Sequence, residues 1–329
     1  MIVGILGSGF GLYGYLPAAA ACSGVRILLP GRYRPKLDSR PELAEFSARV
    51  DWAADDADVL SRATALIVSR RPADQVELVR HATACPNLTH LLLEKPLAPE
   101  PEAAAGLLDD VDRAGKRLRI GFTFRLTPWA HDLKAWLAGS GCDSLAIEWR
   151  FRAHHYSHGV ATWKRRHPEG GGALRFYGIH LIALLAELGY ATVSESHVRA
   201  RLRDEAESWT ATLAGPGLPP CRILVDSDSP TASFEVLGRA TGLRPLDISC
   251  RDPFDLVPAL PGQDRRATLL AELCRSLLGL SVPSGPGVST DPAPWYRASV
   301  DLWRAAERAL PAGATAQLAD VPTPEPTNR

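Results

Sequence analysis

The feature that most constrains the fold of this chain is an alternation of short apolar segments with helical patterns over residues 1–122. The candidate strands are Ile2–Leu6, Val25–Leu29, Ala65–Ser69, His90–Leu93 and Leu118–Phe122. The candidate helices between them include Pro41–Ala48, Ala73–Ala84 and Pro101–Ala114. Such alternation is typical of βαβ units, so we predict an α/β domain with a doubly wound parallel sheet of Rossmann type. Pro17 predicts that the first helix is kinked or begins late.

The pattern changes after Phe122. We predict a helix over Pro128–Leu137, a strand over Leu145–Arg152, and a helix that follows Gly170-Gly171-Gly172 and ends near Leu188. The strand-like segments that come next have no helices between them: Val198–Leu202, Trp209–Leu213, Arg222–Asp226, Ser233–Leu237 and Leu246–Cys250. Sequential strands joined by turns predict an α+β domain with a large, mostly antiparallel open sheet.

The predicted domain boundaries follow from this change of pattern. We assign residues 1–122 to the first domain and residues 123–310 to the second, which closes with helices over Ala267–Leu278 and Pro294–Ala309. The Pro-rich segment 311–329 is expected to be a flexible tail.

Charge and cysteine usage exclude several classes of protein. The 329 residues include 37 basic and 37 acidic side chains, so nothing indicates binding to nucleic acid or to a membrane surface. No signal-peptide pattern precedes the strand at Ile2, and no apolar run is long enough to span a membrane. The six cysteines are scattered without metal-type spacing. We therefore expect reduced thiols, no metal site and a cytoplasmic protein.

The turn after the first strand carries the strongest ligand signal. Gly7, Gly9 and Gly11 lie between a strand and a helix, where glycine allows a tight turn and close approach of a pyrophosphate. We expect a nicotinamide dinucleotide, bound by Gly7, Gly9, Phe10, Gly11 and Leu12. A strict fingerprint has Gly or Ala at position 12, and a shifted triplet of Gly9, Gly11 and Gly14 is an alternative. A tight turn without a ligand would also account for the glycines.

The end of the second strand bears on the choice of cofactor. NAD-binding chains usually place a carboxylate there, but this chain has Pro30-Gly31-Arg32-Tyr33-Arg34. An arginine can pair with the 2′-phosphate of NADP, so Arg32 and Arg34 favour NADP over NAD. Solvated surface arginines would produce the same sequence.

The tripeptide Glu94-Lys95-Pro96 ends the apolar run His90–Leu93. Ligands bind at the carboxyl edge of an open parallel sheet, so Lys95 is predicted to lie beside the reacting centre. Its ammonium group is suited to polarising a carbonyl or donating a proton, although a structural pairing with Glu94 is the alternative. Ser69, Arg70, Glu94 and Lys95 complete the predicted cofactor contacts. The Arg70-Arg71 pair could instead bind an anionic group of the substrate, or both side chains could simply be solvated at the surface.

His180 is the second candidate catalytic residue. It lies about two turns into the helix that follows Gly170-Gly171-Gly172, on a face with Leu174, Leu181, Leu184 and Leu188. A lone histidine on such a face is often a core residue. The three glycines permit a close backbone approach and favour a functional role.

In this order, these residues resemble the Gfo/Idh/MocA family of nicotinamide oxidoreductases over nearly the whole chain. The resemblance is carried by Gly7–Gly11 followed by Tyr15-Leu16-Pro17-Ala18, by Glu94-Lys95-Pro96, by Arg125 and Pro128, and by Trp163 with Gly170–Leu174, Gly178 and His180. It implies that Lys95 and His180 are the catalytic pair. It also implies that Arg125, Tyr156 and Trp163 lie at the substrate pocket, and that the second domain's sheet forms a homodimer or homotetramer. Phe176, as a ring on which an apolar or aromatic substrate can stack, and the adjoining Tyr177 are further predicted substrate contacts.

One position departs from the family pattern. The family commonly places an aspartate one helical turn before the histidine, and this chain has Phe176 there. Phenylalanine cannot orient an imidazole or tune its pKa. The change favours a reductase, or a substrate with an apolar or aromatic group. The nearby loop His154-His155-Tyr156-Ser157-His158 is interpreted as a polar pocket loop, since no carboxylate or cysteine accompanies its histidines.

These observations lead to one main prediction with alternatives. We expect an NADP-dependent reductase that transfers hydride to a carbonyl of a small-molecule substrate, a keto-sugar or specialised metabolite, or to an imine. The alternatives are an NAD-dependent sugar or cyclitol dehydrogenase, a catalytically degenerate NAD(P)-binding regulatory protein and, more distantly, a nucleotide-dependent glycosidase.

Overall fold

The structure, a computed structural model, describes residues 1–139, 141–242, 244–258, 264–280 and 295–319. The chain divides into two compact units. The first is Met1–Ala135 with Pro253–Arg297, and the second is Trp136–Asp252 with Ala298–Arg329. The first unit therefore extends past the boundary expected at residue 122. It also includes the later segment Pro253–Arg297, which the sequence analysis assigned to the second domain.

The first unit contains a six-stranded sheet with the order β3-β2-β1-β4-β5-β6. Its strands are β1 (Ile2–Leu6), β2 (Arg26–Pro30), β3 (Val50–Ala53), β4 (Ala65–Val68), β5 (His90–Leu93) and β6 (Arg117–Ile120). Every neighbouring pair is parallel, with Gly4 opposite Leu28 and Leu6 opposite Val68. This strand order is that of the Rossmann fold and confirms the predicted fold class.

The first unit's α-helices begin with α1 (Leu16–Ala20), α2 (Arg34–Asp38), α3 (Pro41–Ala44), α4 (Asp56–Arg62), α5 (Pro72–Thr83) and α6 (Pro101–Arg113). Further along the chain come α7 (Pro128–Leu137), α8 (His154–Ser157), α9 (Ile179–Glu187), α10 (Arg266–Leu278), α11 (Trp295–Arg308) and α12 (Ala312–Ala319). None of the described helices is long and apolar enough to cross a membrane.

Pro17 is accommodated by a change of helix type. A π-helical segment, Gly11–Tyr15, precedes α1, so Pro17 lies in the first turn of α1. A missing N–H costs nothing there, because the first turn of a helix has no intrahelical acceptor for it.

Helix α10 belongs to the core of the first unit. Its Leu269, Leu270, Leu273 and Leu277 are at most 3% exposed and pack in one cluster with residues of β1, α1 and β2. Helix α10, more than 250 residues from the N-terminus, thus packs on the side of the sheet where the glycine-rich turn leads into α1.

The second unit contains a six-stranded sheet with the order β12-β11-β7-β10-β9-β8. Its strands are β7 (Cys142–Arg152), β8 (Thr192–Arg199), β9 (Ser208–Ala214), β10 (Cys221–Asp226), β11 (Asp228–Ala240) and β12 (Leu246–Cys250). The pair β7–β10 is parallel and the other pairs are antiparallel, which confirms the expected mostly antiparallel sheet.

The covered face of this sheet packs against the segment that carries His180. Trp209 of β9 is fully buried, and its indole N–H donates to Ser196 Oγ over 3.0 Å. A Cβ placed on Gly178 would lie 2.6 Å from the Trp209 ring. Glycine at 178 therefore lets the helix lie directly against the tryptophan.

Two predicted elements differ from the structure, and one strand was not predicted. Strand β3 was missed because it is a short edge strand whose Asp51 and Trp52 are only half-buried. The strand predicted at Val198–Leu202 is instead β8, a polar edge strand that buries only Ser196 and so lacks an apolar pattern. The helix predicted at Pro41–Ala48 ends at Ala44 and is followed by a 3₁₀ turn, Ser47–Arg49.

The segment expected to be a flexible tail begins with helix α12 (Ala312–Ala319). Alanine is the strongest helix former, and Leu318 of this helix is 2% exposed. Residues 320–329 lie outside the described part of the chain.

Close packing of β1 against α4 leads to a stability prediction. A Cβ on Gly4 would lie 2.5 Å from Val59 Cγ1 and 3.2 Å from Ala63 Cβ. We expect Gly4→Ala to lower the free energy of unfolding by about 1–3 kcal/mol through overpacking. Gly106→Ala is the matched control, since Gly106 lies within α6 with nothing within 4 Å of an added Cβ. It should raise stability by about 0.5–1 kcal/mol. Urea denaturation measures both, and equal effects would contradict this account of the β1–α4 contact.

Candidate cofactor and catalytic sites

The glycine-rich turn is shaped by contact between the ends of β1 and β4. Gly7 has a φ of +153°, and a Cβ there would overlap the Ser69 backbone carbonyl. Only glycine allows this approach. A Cβ on Gly9, in contrast, would meet nothing within 4 Å. The backbone at Gly9 therefore faces open space that an oxyanion can enter.

The other predicted residues of the turn support it by packing. Leu12 is 1% exposed and lies in the core beneath the turn, and Gly11 approaches the Ser69 side chain. Phe10 makes edge contacts with Tyr13 and Tyr15, with ring centroids 5.3 and 5.4 Å apart.

Arg266 of α10 also belongs to this region and was not foreseen from the sequence. Its guanidinium lies 4.7 Å from the centroid of the Phe10 ring and is paired with Asp264. The ion pair with Asp264 raises the pKa of Arg266 against the opposing effect of burial. No local sequence signal indicates this residue, because α10 reaches the turn through a long-range contact.

Arg32 and Arg70, both predicted cofactor contacts, are brought together by a third residue. Arg70 Nη2 lies 2.7 Å from Asp56 Oδ2, and Arg32 pairs with the other oxygen of the same carboxylate. Tyr33 joins the group: its hydroxyl accepts from the Gly7 N–H over 3.0 Å and from Arg70 over 3.3 Å. The parallel pairing of β2 with β3 explains this cluster, since Arg32 and Asp56 follow adjacent strand ends. Arg34 points elsewhere, over the Trp52 ring at 4.7 Å.

Glu94 and Lys95 lie at the carboxyl end of β5. Lys95 is 9% exposed, and the Lys95-Pro96 peptide bond is cis. The Tyr15 hydroxyl donates to Glu94 Oε2 over 2.5 Å. Burial raises the pKa of Glu94, and the Lys95 ammonium and the Tyr15 hydrogen bond oppose this shift. Burial and the neighbouring Glu94 carboxylate raise the pKa of Tyr15.

Two further residues hold the Glu94-Lys95-Pro96 segment in place. Gln75 of α5 is fully buried, and its amide nitrogen donates to the carbonyls of Glu94, Pro96 and Leu97 at 2.7, 3.3 and 3.1 Å. A Cβ on Gly121 would lie 2.5 Å from the Tyr15 hydroxyl and 2.7 Å from Glu94 Oε2. The position of Lys95 is thus set by buried side-chain hydrogen bonds as well as by its strand.

Arg125 is placed in the first unit, where its guanidinium lies 5.2 Å from the centroid of the Trp295 ring. The ring of Trp295 is 6.0 Å from that of Phe122. Lys95 and Arg125 belong to the first unit, whereas His180 and the other predicted substrate residues belong to the second.

His180 is 7% exposed on α9 of the second unit. The chain enters this region through Gly170 and Gly172, which have φ values of 86° and 80°. A Cβ on Gly171 would overlap the backbone between Trp163 and Arg166. The three glycines therefore hold the Trp163 segment against the start of the helix, which begins with a π-helical stretch, Ala173–Gly178.

The predicted substrate residues of the second unit form an aromatic cluster. Phe176 meets Trp163 and Tyr177 edge to face, with ring centroids 5.3 and 4.8 Å apart. Tyr177 continues the cluster to Phe151 at 4.8 Å and to His155 at 6.3 Å. Tyr156 joins through His155, with centroids 4.7 Å apart. Of the other two loop histidines, His154 and His158 stack on each other at 4.1 Å.

A buried ion cluster supports the same helix and was missed by sequence reasoning. Glu307 of α11 accepts from Arg175 Nε at 2.7 Å and from Trp303 Nε1 at 3.0 Å, and lies 3.2 Å from His167 Nε2. The His167 ring and the Arg175 guanidinium hold the pKa of Glu307 well below its usual range. A carboxylate 132 residues from its arginine partner gives no local signal.

Of three comparisons with known proteins, two give no match and one gives matches. No protein-family model and no curated protein matches the sequence. Solved structures do match. One is the WlbA dehydrogenase from Bordetella pertussis in complex with NADH and UDP-GlcNAcA, with a TM-score of 0.73 and 16% identity over 94% of this chain and 95% of that chain. The chain therefore has the same fold as this dehydrogenase.

Two further solved structures show the same likeness. GenD2 from gentamicin A biosynthesis, in complex with NAD, has a TM-score of 0.69 and 17% identity over 94% of this chain and 93% of that chain. KijD10, a 3-ketoreductase from Actinomadura kijaniata in complex with NADP and TDP-benzene, has a TM-score of 0.67 and 16% identity over 94% and 98%. At this identity, the likeness establishes the fold and leaves the activity to be argued from the sites.

The environment of His155 predicts a pH-dependent stability. Burial, followed by the nearby Lys164, Arg165 and His154, lowers the pKa of His155 to about 4. In the unfolded chain the value is about 6.5, so the unfolded state takes up a proton first as the pH falls. The contribution of neutral His155 to the free energy of unfolding is therefore complete above pH 6.5 and is lost between about pH 6.5 and 4. At pH 5 the loss is on the order of 1–2 kcal/mol.

This dependence is tested by urea denaturation of wild type and His155→Phe at pH 7 and at pH 5. The variant keeps a ring in contact with Tyr177 but does not titrate, so its loss of stability between the two pH values should be smaller than that of wild type. His197→Gln, at an exposed position on β8, should retain the wild-type loss. If His155→Phe also retains it, another group causes the acid sensitivity.

Proposed function

We propose that this protein is an NAD(P)-dependent oxidoreductase of the Gfo/Idh/MocA type that reduces a carbonyl group, with NADP as its cofactor. The observation that carries the proposal is the position of Lys95. It lies at the carboxyl end of β5 in a Rossmann sheet whose glycine-rich turn follows β1. Ligands of such sheets bind at this edge. Neighbours with the same fold are described with NADH, NAD and NADP.

The chain's own residues fit a dinucleotide. Gly7 and Gly9 leave the turn close to β4 and open to an incoming pyrophosphate. Arg32 and Arg70 supply two guanidinium groups beyond the ends of β2 and β4, and these suit a 2′-phosphate. When bound, the nicotinamide supplies the hydride that reduces the substrate.

Lys95 is the proposed proton donor. Its nearly buried ammonium polarises the carbonyl oxygen and gives that oxygen a proton as the carbonyl carbon is reduced. Glu94, whose Oε2 accepts from the Tyr15 hydroxyl, lies next in sequence and places a carboxyl group beside the lysine. His180 of the second unit is the second residue that the family resemblance assigns to catalysis.

For the substrate we propose a keto-sugar carried on a nucleotide. The WlbA structure holds UDP-GlcNAcA and the KijD10 structure holds TDP-benzene. The direction proposed is reduction, because Phe176 stands where the family pattern has an aspartate. An alcohol oxidation needs a base at this point, whereas a carbonyl reduction needs an acid.

The role of Lys95 predicts a selective loss of turnover. Lys95→Met preserves the length of a nearly buried side chain but removes its proton. With a keto-sugar nucleotide that the wild type reduces, we expect kcat/KM to fall by about 10²–10⁴-fold. The Kd for NADPH should stay within about threefold. Lys116→Met is the control. Lys116 precedes β6 and donates to the carbonyl of Cys85, so its replacement should not affect turnover. Near-wild-type turnover in Lys95→Met would reject the mechanism.

The role of Arg32 predicts a cofactor preference. Tryptophan fluorescence titration should show tighter binding of NADPH than of NADH. Arg32→Gln should weaken NADPH by about tenfold, the usual effect of losing one charged hydrogen bond, and leave NADH nearly unchanged. Arg34→Gln should have no effect, because Arg34 lies over Trp52. Tighter NADH binding in the wild type would favour the NAD-dependent dehydrogenase instead.

A further inference from the structure

Asp56 is the least expected residue at the proposed cofactor edge. It begins helix α4 after β3, and its two carboxylate oxygens are divided between Arg32 and Arg70. The three side chains are 32%, 46% and 27% exposed, so the cluster is open to solvent on one side. A bound 2′-phosphate would have to share this arginine pair with a carboxylate that is already there.

The arginines do not depend on Asp56 alone for their position. The Arg32 guanidinium lies 5.0 Å from the centroid of the Tyr33 ring, and Arg70 donates to the Tyr33 hydroxyl over 3.3 Å. That hydroxyl is itself fixed by the Gly7 N–H at 3.0 Å, and Tyr33 is 5% exposed. Tyr33 is therefore a buried platform that holds both arginines when the carboxylate is changed.

We propose that Asp56 is a specificity-determining residue that limits the preference for NADP over NAD. Its negative charge offsets one of the two arginine charges, and the remaining net charge is what a 2′-phosphate meets. A ribose 2′-hydroxyl carries no charge and is affected far less by this offset. The inference rests on the proposed function, because it assumes that the dinucleotide binds at this edge.

The test is to titrate the wild type and Asp56→Asn with NADPH and with NADH and to measure each Kd from the change in tryptophan fluorescence. Asparagine has the same shape, and its carbonyl oxygen can still accept from one arginine. We expect the Kd for NADPH to fall by about tenfold at low salt and the Kd for NADH to change by less than about twofold. The gain for NADPH should shrink at high salt, since exposed charges are screened.

Asp51→Asn is the matched control. Asp51 lies on β3, five residues before Asp56, and pairs at 2.8 Å with another arginine, Arg26, at the start of β2. The same charge change there should leave both Kd values within about twofold. A gain in Asp51→Asn equal to that in Asp56→Asn would mean that net charge, and not position, causes the effect.

The possible failures are distinguishable. If the wild type binds neither dinucleotide, the proposed function is wrong. If the wild type binds both but Asp56→Asn weakens NADPH, then Asp56 is needed to hold the arginines and the inference is overturned. If Asp56→Asn weakens NADH alone, Asp56 is an acceptor for the ribose hydroxyl, and the inference is overturned in favour of an NAD site.

Discussion

The carboxyl edge of the first unit's sheet depends on one close contact, the approach of Gly7 to Ser69. This contact brings the ends of β1 and β4 together, where any side chain at position 7 would overlap the Ser69 backbone. The loops that follow β2, β4 and β5 then begin from one tightly packed edge. Arg32, Arg70 and Lys95 are the chemistry-bearing residues of those loops. Their common location follows from the parallel pairing of β2, β1, β4 and β5, whose carboxyl ends meet at one edge, and the approach of Gly7 to Ser69 closes the centre of that edge.

The central strands were predictable, whereas the edge strands β3 and β8 were not, although the edge strand β12 (Leu246–Cys250) has the predicted bounds. Ile2–Leu6 and His90–Leu93 have the predicted bounds because central strands of a parallel sheet are buried on both faces and form continuous apolar runs. β3 and β8 are edge strands with half-buried or polar residues, so their sequences carry little periodic signal. The return of α10 to the first unit could not be foreseen, since helical periodicity shows which face is apolar but not what that face packs against.

The same distinction applies to the sites. The position of Lys95 followed from the end of an apolar run, and the turn of Gly7 and Gly9 from its place after the first strand. The residues that fix these groups came from distant parts of the chain. Gln75 reaches Glu94 across 19 residues, and Glu307 reaches Arg175 across 132. A buried donor or acceptor that serves another segment has no spacing rule, because its partner is defined by the tertiary fold.

The packing of Phe176 bears on the direction that we propose for the reaction. A carboxylate beside an imidazole stabilises the protonated ring, which is useful to a residue that must accept a proton. The phenyl ring contributes neither charge nor hydrogen bond, and it is engaged with Trp163, Tyr177 and the Lys164 ammonium 5.4 Å from its centroid. Position 176 is thus part of an aromatic wall. We propose reduction of a carbonyl for this reason, because an imidazole without a neighbouring carboxylate is less suited to accepting a proton from an alcohol.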